Sequence, residues 1–120
     1  MNKEPRDLDY LQHILDAIAR IEEYINDQSE EGFLADGMLQ DAVIRNIEII
    51  GEAANRLSKS FVERHNVLPW VDIAGMRHRL IHGYFNVNLE TVWRVIEKDL
   101  PELKGQIDAL LRELRHSSNR

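Results

Sequence analysis

Cysteine is absent from the 120 residues, so neither a disulfide nor a thiolate metal site is available. That fits a reducing compartment. Long apolar runs are also missing, and MNKEPRDLDY at the start places no apolar stretch behind its charges. Neither a membrane span nor a secretory signal is therefore expected, and the expected location is the cytoplasm. Positive charge is in deficit, with 15 Lys and Arg against 21 Asp and Glu, a formal net charge of −6. A protein that binds nucleic acid over its whole surface carries the opposite sign. Any such contact must be local, and the candidate patch is Arg77, His78, Arg79 and His82, extended by Arg64, His65 and Arg94.

The 6 glycines and 3 prolines fall mainly at joints between apolar-periodic segments, and no strand alternation, internal repeat or low-complexity stretch is present. The chain reads as one all-α domain over residues 1–120, an up-and-down bundle of four to five helices. Asp7 is expected to cap a first helix whose Leu11, Ile14, Ile18, Ile21 and Ile25 alternate spacings of three and four and which stops near Asp27. QSEEGFLADG reads as a loop. Asp36 then caps a long second helix with Leu39, Val43, Ile47, Ile50, Ala54 and Leu57 inward. Gly51, Ala53 and Ala54 are small enough to let another helix approach closely, although Gly51 costs about 1 kcal/mol in helix propensity.

After a basic connector around Arg64 to Asn66, Pro69 opens a third helix expected to run to Gly83. The turn FNVN delivers Asn88 as the cap of a fourth, with Leu89, Val92, Trp93 and Ile96 inward. Asp99 and Glu102 form a capping box around Pro101 for a fifth, whose core stripe is Leu103, Ile107, Leu110, Leu111 and Leu114. The tail RHSSNR is expected to fray. Trp70 and Trp93 have the chemistry to stack on bases, but beside aliphatics at helical spacing they read as core. His13, His65 and His116 read as ordinary surface residues.

The third helix carries RHRLIHGY, which brings together a fixed cation, Arg77, a group that exchanges protons near neutral pH, His82, and a phenol, Tyr84. On a regular helix from Trp70, the residues Trp70, Ile73, Met76, Leu80, Ile81 and Tyr84 form an apolar arc with Arg77 near its middle. A guanidinium placed there needs a partner. One partner is a carboxylate of a neighbouring helix, Asp41 or Glu48; another is a phosphate. His78 and His82 stand four apart, as in two-histidine metal sites, but RLI between them contains no Glu and Arg79 repels a cation. No metal and no cofactor is assigned.

IGEAANRLS in the second helix, LPWVDIAGMRHRLIHGYF across the motif and TVWRVIEKDLPEL after it together resemble the HEPN superfamily, and within it the HepT-like toxins encoded beside minimal nucleotidyltransferases of the MNT type. The resemblance is strongest from Asp36 to Leu103. It implies a metal-independent ribonuclease toxin acting as a homodimer, with the motif helices of two subunits lining one cleft. It further implies that Arg77 and His82 form the active centre and that Tyr84 receives AMP from the partner nucleotidyltransferase, the antitoxin. His78 stands where this family often has Asn, and His78 with Arg79 are the candidates for substrate contact.

Those residue types suit cleavage of RNA by its own 2′-hydroxyl, which needs a base, an acid and a cation for the crowded phosphorane. A regular helix sets His82 roughly 140° away from Arg77, so a single regular helix does not converge them. Either Gly83 loosens the last turn or the centre is assembled across a dimer. The alternatives are a non-catalytic helical module that binds nucleotides or the nucleotidyltransferase, and a plain dimerising bundle.

Overall fold

A computed structural model describes residues 4–82 and 86–118, with side chains described for residues 6–80 and 87–116. The elements are α1 (Glu4–Ile25), α2 (Glu30–Leu34), α3 (Gly37–Asn55), α4 (Lys59–Arg64), α5 (Trp70–Ala74), α6 (Met76–Leu80), β1 (Ile81–His82), β2 (Asn86–Val87), α7 (Leu89–Arg94), a π-helical turn (Val95–Asp99) and α8 (Leu100–Ser118).

Three long helices carry the core. On α1, Leu11, Ile14, Ile18 and Ile21 are wholly buried; Val43, Ile47 and Ile50 on α3 and Ile107 on α8 meet them. Burying each such side chain stabilises by roughly 1.5–3 kcal/mol. Polar contacts give the helix directions. Asp7 near the start of α1 accepts from Ser58 just past α3, and Arg20 near the end of α1 donates to Asn46 at mid-α3 (2.7 Å), so α1 and α3 run antiparallel. Arg115 donates to Gln12 at 3.1 Å and Lys104 meets Glu22 at 3.0 Å, so α1 and α8 are antiparallel too. Trp70 and Trp93 are core residues, as expected.

The expected bundle is present, with several local corrections. Asp7 is no cap: α1 begins upstream of it, and its carboxylate, 2% exposed, takes the Ser58 N–H at 2.8 Å and the Ser58 hydroxyl at 2.7 Å. Ser58 in turn caps α4, a short helix that the sequence reading passed over. QSEEGFLADG is not simply a loop, because Ser29 caps α2, whose first turn holds Glu30 and Glu31 and whose Phe33 is buried against Trp93, ring centroids 5.4 Å apart. The fourth and fifth helices are one continuous rod. Pro101 has no N–H to give to an α-helical ladder, and the wide turn just before it, where the Leu100 N–H reaches the Val95 carbonyl, accommodates the proline without ending the helix. Asp99 therefore lies inside the rod rather than at a cap. Arg115 and His116 belong to α8 rather than to a frayed tail.

The largest correction falls on the motif. The helix expected from Trp70 to Gly83 is broken at Gly75, resumes at Met76 and ends at Leu80. Ile81 and His82 then pair antiparallel with Val87 and Asn86, and the Asn88 N–H closes onto the Leu80 carbonyl at 2.9 Å. This two-residue ladder is the sole β-structure among the described residues. None of the helices is long and apolar enough to cross a membrane among the described residues.

Candidate functional site at the Arg77 cleft

α3 buries one face and offers the opposite one, along which Arg45, Glu48, Glu52 and Asn55 recur at spacings of three and four. The α5–α6 segment lies against this face because α3 has no side chain at Gly51. A Cβ there would meet the Ala74 carbonyl oxygen at 3.0 Å. Between the two elements is an open cleft of about 520 Å³ lined by Arg45, Glu48, Glu52, Gly75, Arg77 and His78, among others.

Arg77 does not sit in the apolar arc. Trp70, Ile73, Met76 and Leu80 of that arc are buried, but the break at Gly75 resets the helical phase, and Arg77 emerges 47% exposed on the cleft wall. Its Nε lies 2.9 Å from Glu48 Oε2, so of the two carboxylates considered, Glu48 is the partner. Because both groups are substantially exposed, the pair is solvent-screened and contributes at most about 1 kcal/mol. It orients the guanidinium without sealing it from a ligand.

His78 shares the cleft with Arg77. Arg79 does not: it projects to another side of α6, where its Nη2 reaches the Asp72 carbonyl at 3.4 Å in a second cleft that also holds Asp99 and Glu102. Arg64 and His65 line a third cleft with Leu110 and Glu113. The proposed basic patch is thus dispersed over the surface. The backbone of His82 is in β1, two residues past the end of α6, so the 140° argument for a regular helix does not apply. The side chain of His82 lies outside the described residues, as do Gly83 and Tyr84 altogether. No group of three or more His, Asp or Glu suited to a metal ion occurs among the described residues.

The sequence reading missed Arg45, Glu52 and Asn55. The signal was available as a polar stripe at helical spacing opposite the core stripe of α3, but nothing local marked it as facing a cleft. Gly51 was read for the close approach it allows, and that approach is what forms the cleft floor.

Comparison with known proteins points the same way. The profile of the family described as Ribonuclease HepT-like matches residues 14–110. A Methanocaldococcus jannaschii protein named for gamma-glutamylcyclotransferase and RNase is 48% identical over 110 residues, covering 92% of this chain and 50% of that protein, so the chain spans half the length of this relative. A Caldanaerobacter subterraneus subsp. tengcongensis protein named as an RNase is 44% identical over 92% of this chain and 97% of its own length. A Thermococcus cleftensis protein named as a ribonuclease HepT is 43% identical over 85% of this chain and 93% of its own. No solved structure matches the chain. A helical bundle that presents Arg77 and His78 on an open cleft, matched over residues 14–110 by this family's profile, belongs to the HepT-like ribonuclease family.

Proposed function

We propose that the chain is the toxin of a toxin–antitoxin pair, a metal-independent endoribonuclease that works as a homodimer, with Arg77 and His82 as its catalytic residues. The observation that carries this reading is Arg77 itself, presented at 47% exposure on an open cleft in a chain of this ribonuclease family. Nε engages Glu48, and the two terminal amino groups complete a planar fork suited to phosphate oxygens.

In the proposed reaction an imidazole of His82 takes the proton of an RNA 2′-hydroxyl, the 2′-oxygen attacks phosphorus, and the bond from phosphorus to the 5′-oxygen breaks. The leaving oxygen receives a proton, the products being a 2′,3′-cyclic phosphate and a 5′-hydroxyl. Arg77 stabilises the charge on the phosphorane. Two subunits supply two imidazoles, one for each proton transfer. His78 contacts substrate in the same cleft, whereas Arg79, the other candidate for substrate contact, faces another side of α6. The dimer places the two motif segments around one cleft.

Control is assigned to Tyr84, next to the RNA site in sequence. A cognate MNT-type nucleotidyltransferase transfers AMP from ATP to the phenol oxygen with release of pyrophosphate. The phosphodiester charge and the nucleoside bulk attached at Tyr84 then repel and exclude RNA. Intact mass after incubation with that enzyme and ATP tests this assignment. An AMP-sized gain in wild type and none in Tyr84→Phe supports it; equal gain in both rejects it.

Assembly of the centre across the dimer is tested by mixing. Wild type refolded with excess His82→Ala protein is expected to lose activity in step with the fraction of wild-type homodimer that remains, because a mixed dimer holds one imidazole of the two. Mixed dimers that keep half the wild-type rate, or full activity in an obligate monomer, reject a shared centre.

A further inference from the structure

Beside the Arg77 cleft, across Glu52, is a second depression of about 280 Å³, lined by Tyr10, His13, Ile49, Glu52, Ala53 and Arg56. Glu52 is common to both linings, so the two depressions adjoin on the exposed side of α3, the first flanked by α6 and the second by α1.

The chemistry of the second depression differs from that of the first. Tyr10 is half-buried and its ring stands edge-on to His13, centroids 6.0 Å apart and planes 76° apart. His13 is exposed at the rim, and Ile49 and Ala53 give an apolar floor. The Arg56 guanidinium shares this lining and pairs with Glu52, whose Oε1 is 3.0 Å from Nη2. The neighbouring Tyr10 hydroxyl and the Glu52 carboxylate both raise the Arg56 pKa. Two aromatic rings, an apolar floor and a tethered planar cation are the components with which proteins hold an unpaired base, by stacking rather than by reading its edge.

Resting on the ribonuclease reading above, we propose that Tyr10, His13 and Arg56 form a base-stacking subsite for single-stranded RNA, occupied by a nucleotide beyond the one whose phosphate lies at Arg77. The subsite makes the enzyme prefer a strand of several nucleotides over a dinucleotide, with little preference for base identity. It also places the strand along α3. The polarity of the adjoining depressions suits the acidic chain: Arg77, Arg45 and Arg56 interrupt the carboxylates Glu48 and Glu52, giving local points for phosphate where the net charge is −6.

Two readouts test this separately from catalysis. The first is steady-state cleavage of an oligoribonucleotide of about eight residues and of a dinucleotide by wild type, Tyr10→Leu, Tyr10→Phe, His13→Ala and Arg56→Ala. Tyr10→Leu and Arg56→Ala are expected to raise KM for the longer strand about five- to tenfold, with kcat and dinucleotide cleavage unchanged, while Tyr10→Phe keeps the wild-type KM. Arg56 is exposed, so its variant retains the fold if Tyr10→Leu does not. The second is NMR of the Tyr10 and His13 rings during titration with a 2′-O-methyl oligonucleotide that resists cleavage. Upfield ring shifts saturating with added strand support the subsite even if wild type cleaves no RNA, an outcome that would instead reject the ribonuclease reading. Active wild type with unmoved ring signals and a KM unaffected in every variant overturns the subsite, whether the depression is idle or covered by a second copy of the chain.

Discussion

Arg77 and Asp7 show how burial decides what a charged residue does. Arg77 meets Glu48 in the open, so its deletion costs little fold stability. Arg77→Ala is expected to lower the unfolding free energy by less than about 1 kcal/mol in urea melts, yet to reduce RNA cleavage at least a hundredfold, the usual cost of losing one preorganised donor to a developing negative charge. Asp7 is the reverse case. It is buried and takes two hydrogen bonds from the half-buried Ser58, so Asp7→Ala leaves the Ser58 N–H and hydroxyl without that acceptor. The expected loss is about 2–3 kcal/mol, read as a lower urea midpoint, with the cleavage rate of the folded fraction retained. The two carboxylate roles were unequally legible. Glu48 stood among two named candidates because it is on the neighbouring helix. Asp7 looked like a cap because an acid before a periodic run usually is one, and its true partner is distant in sequence.

At the scale of elements, periodicity was sufficient for α1, α3 and, taken separately, α7 and α8, since a stripe at spacings of three and four buries itself whatever it packs on. It was insufficient where a break resets the phase. Gly75 interrupts the motif helix, and from that point a helical wheel drawn from Trp70 misplaces Arg77. Nothing in RHRLIHGY by itself announces the ladder of Ile81 and His82 with Val87 and Asn86, because two-residue strands have no alternation to detect. The same logic hid the π turn: Pro101 looked like a new start, whereas a wider turn before it keeps one helix running. Gly51 makes the prediction for this scale. Gly51→Ala gains about 1 kcal/mol in helix propensity but places a Cβ 3.0 Å from the Ala74 carbonyl, which backbone cannot yield cheaply. A net loss of about 1–2 kcal/mol is expected, with a lowered cleavage rate because the α5–α6 segment and Arg77 move with it; a neutral or stabilised variant with normal activity would show that the contact is loose.

For the molecule as a whole, an acidic protein that acts on RNA must confine attraction to a few points. Of the cations considered, Arg77 and His78 share one cleft, while Arg79, Arg64 and His65 face elsewhere. The salt dependence of binding counts such points. For single strands the slope of log affinity against log salt is about −0.7 per phosphate neutralised, so fluorescence anisotropy with a short oligonucleotide is expected to give a slope between about −1 and −2. A much steeper slope would mean a broad basic surface that this charge distribution does not supply. The family and the helical architecture were legible from the three motif-bearing stretches. The dispersal of the patch was not, because it depends on which way each side of α6 faces after the break at Gly75.

A ribonuclease centred on RHRLIHGY and needing no metal must cleave RNA as purified protein in the presence of a chelator. Wild type is expected to cut, and Arg77→Ala and His82→Ala, folded and in the same oligomeric state, are expected not to. Equal cleavage by all three proteins, or none by wild type on total cellular RNA, would contradict the account.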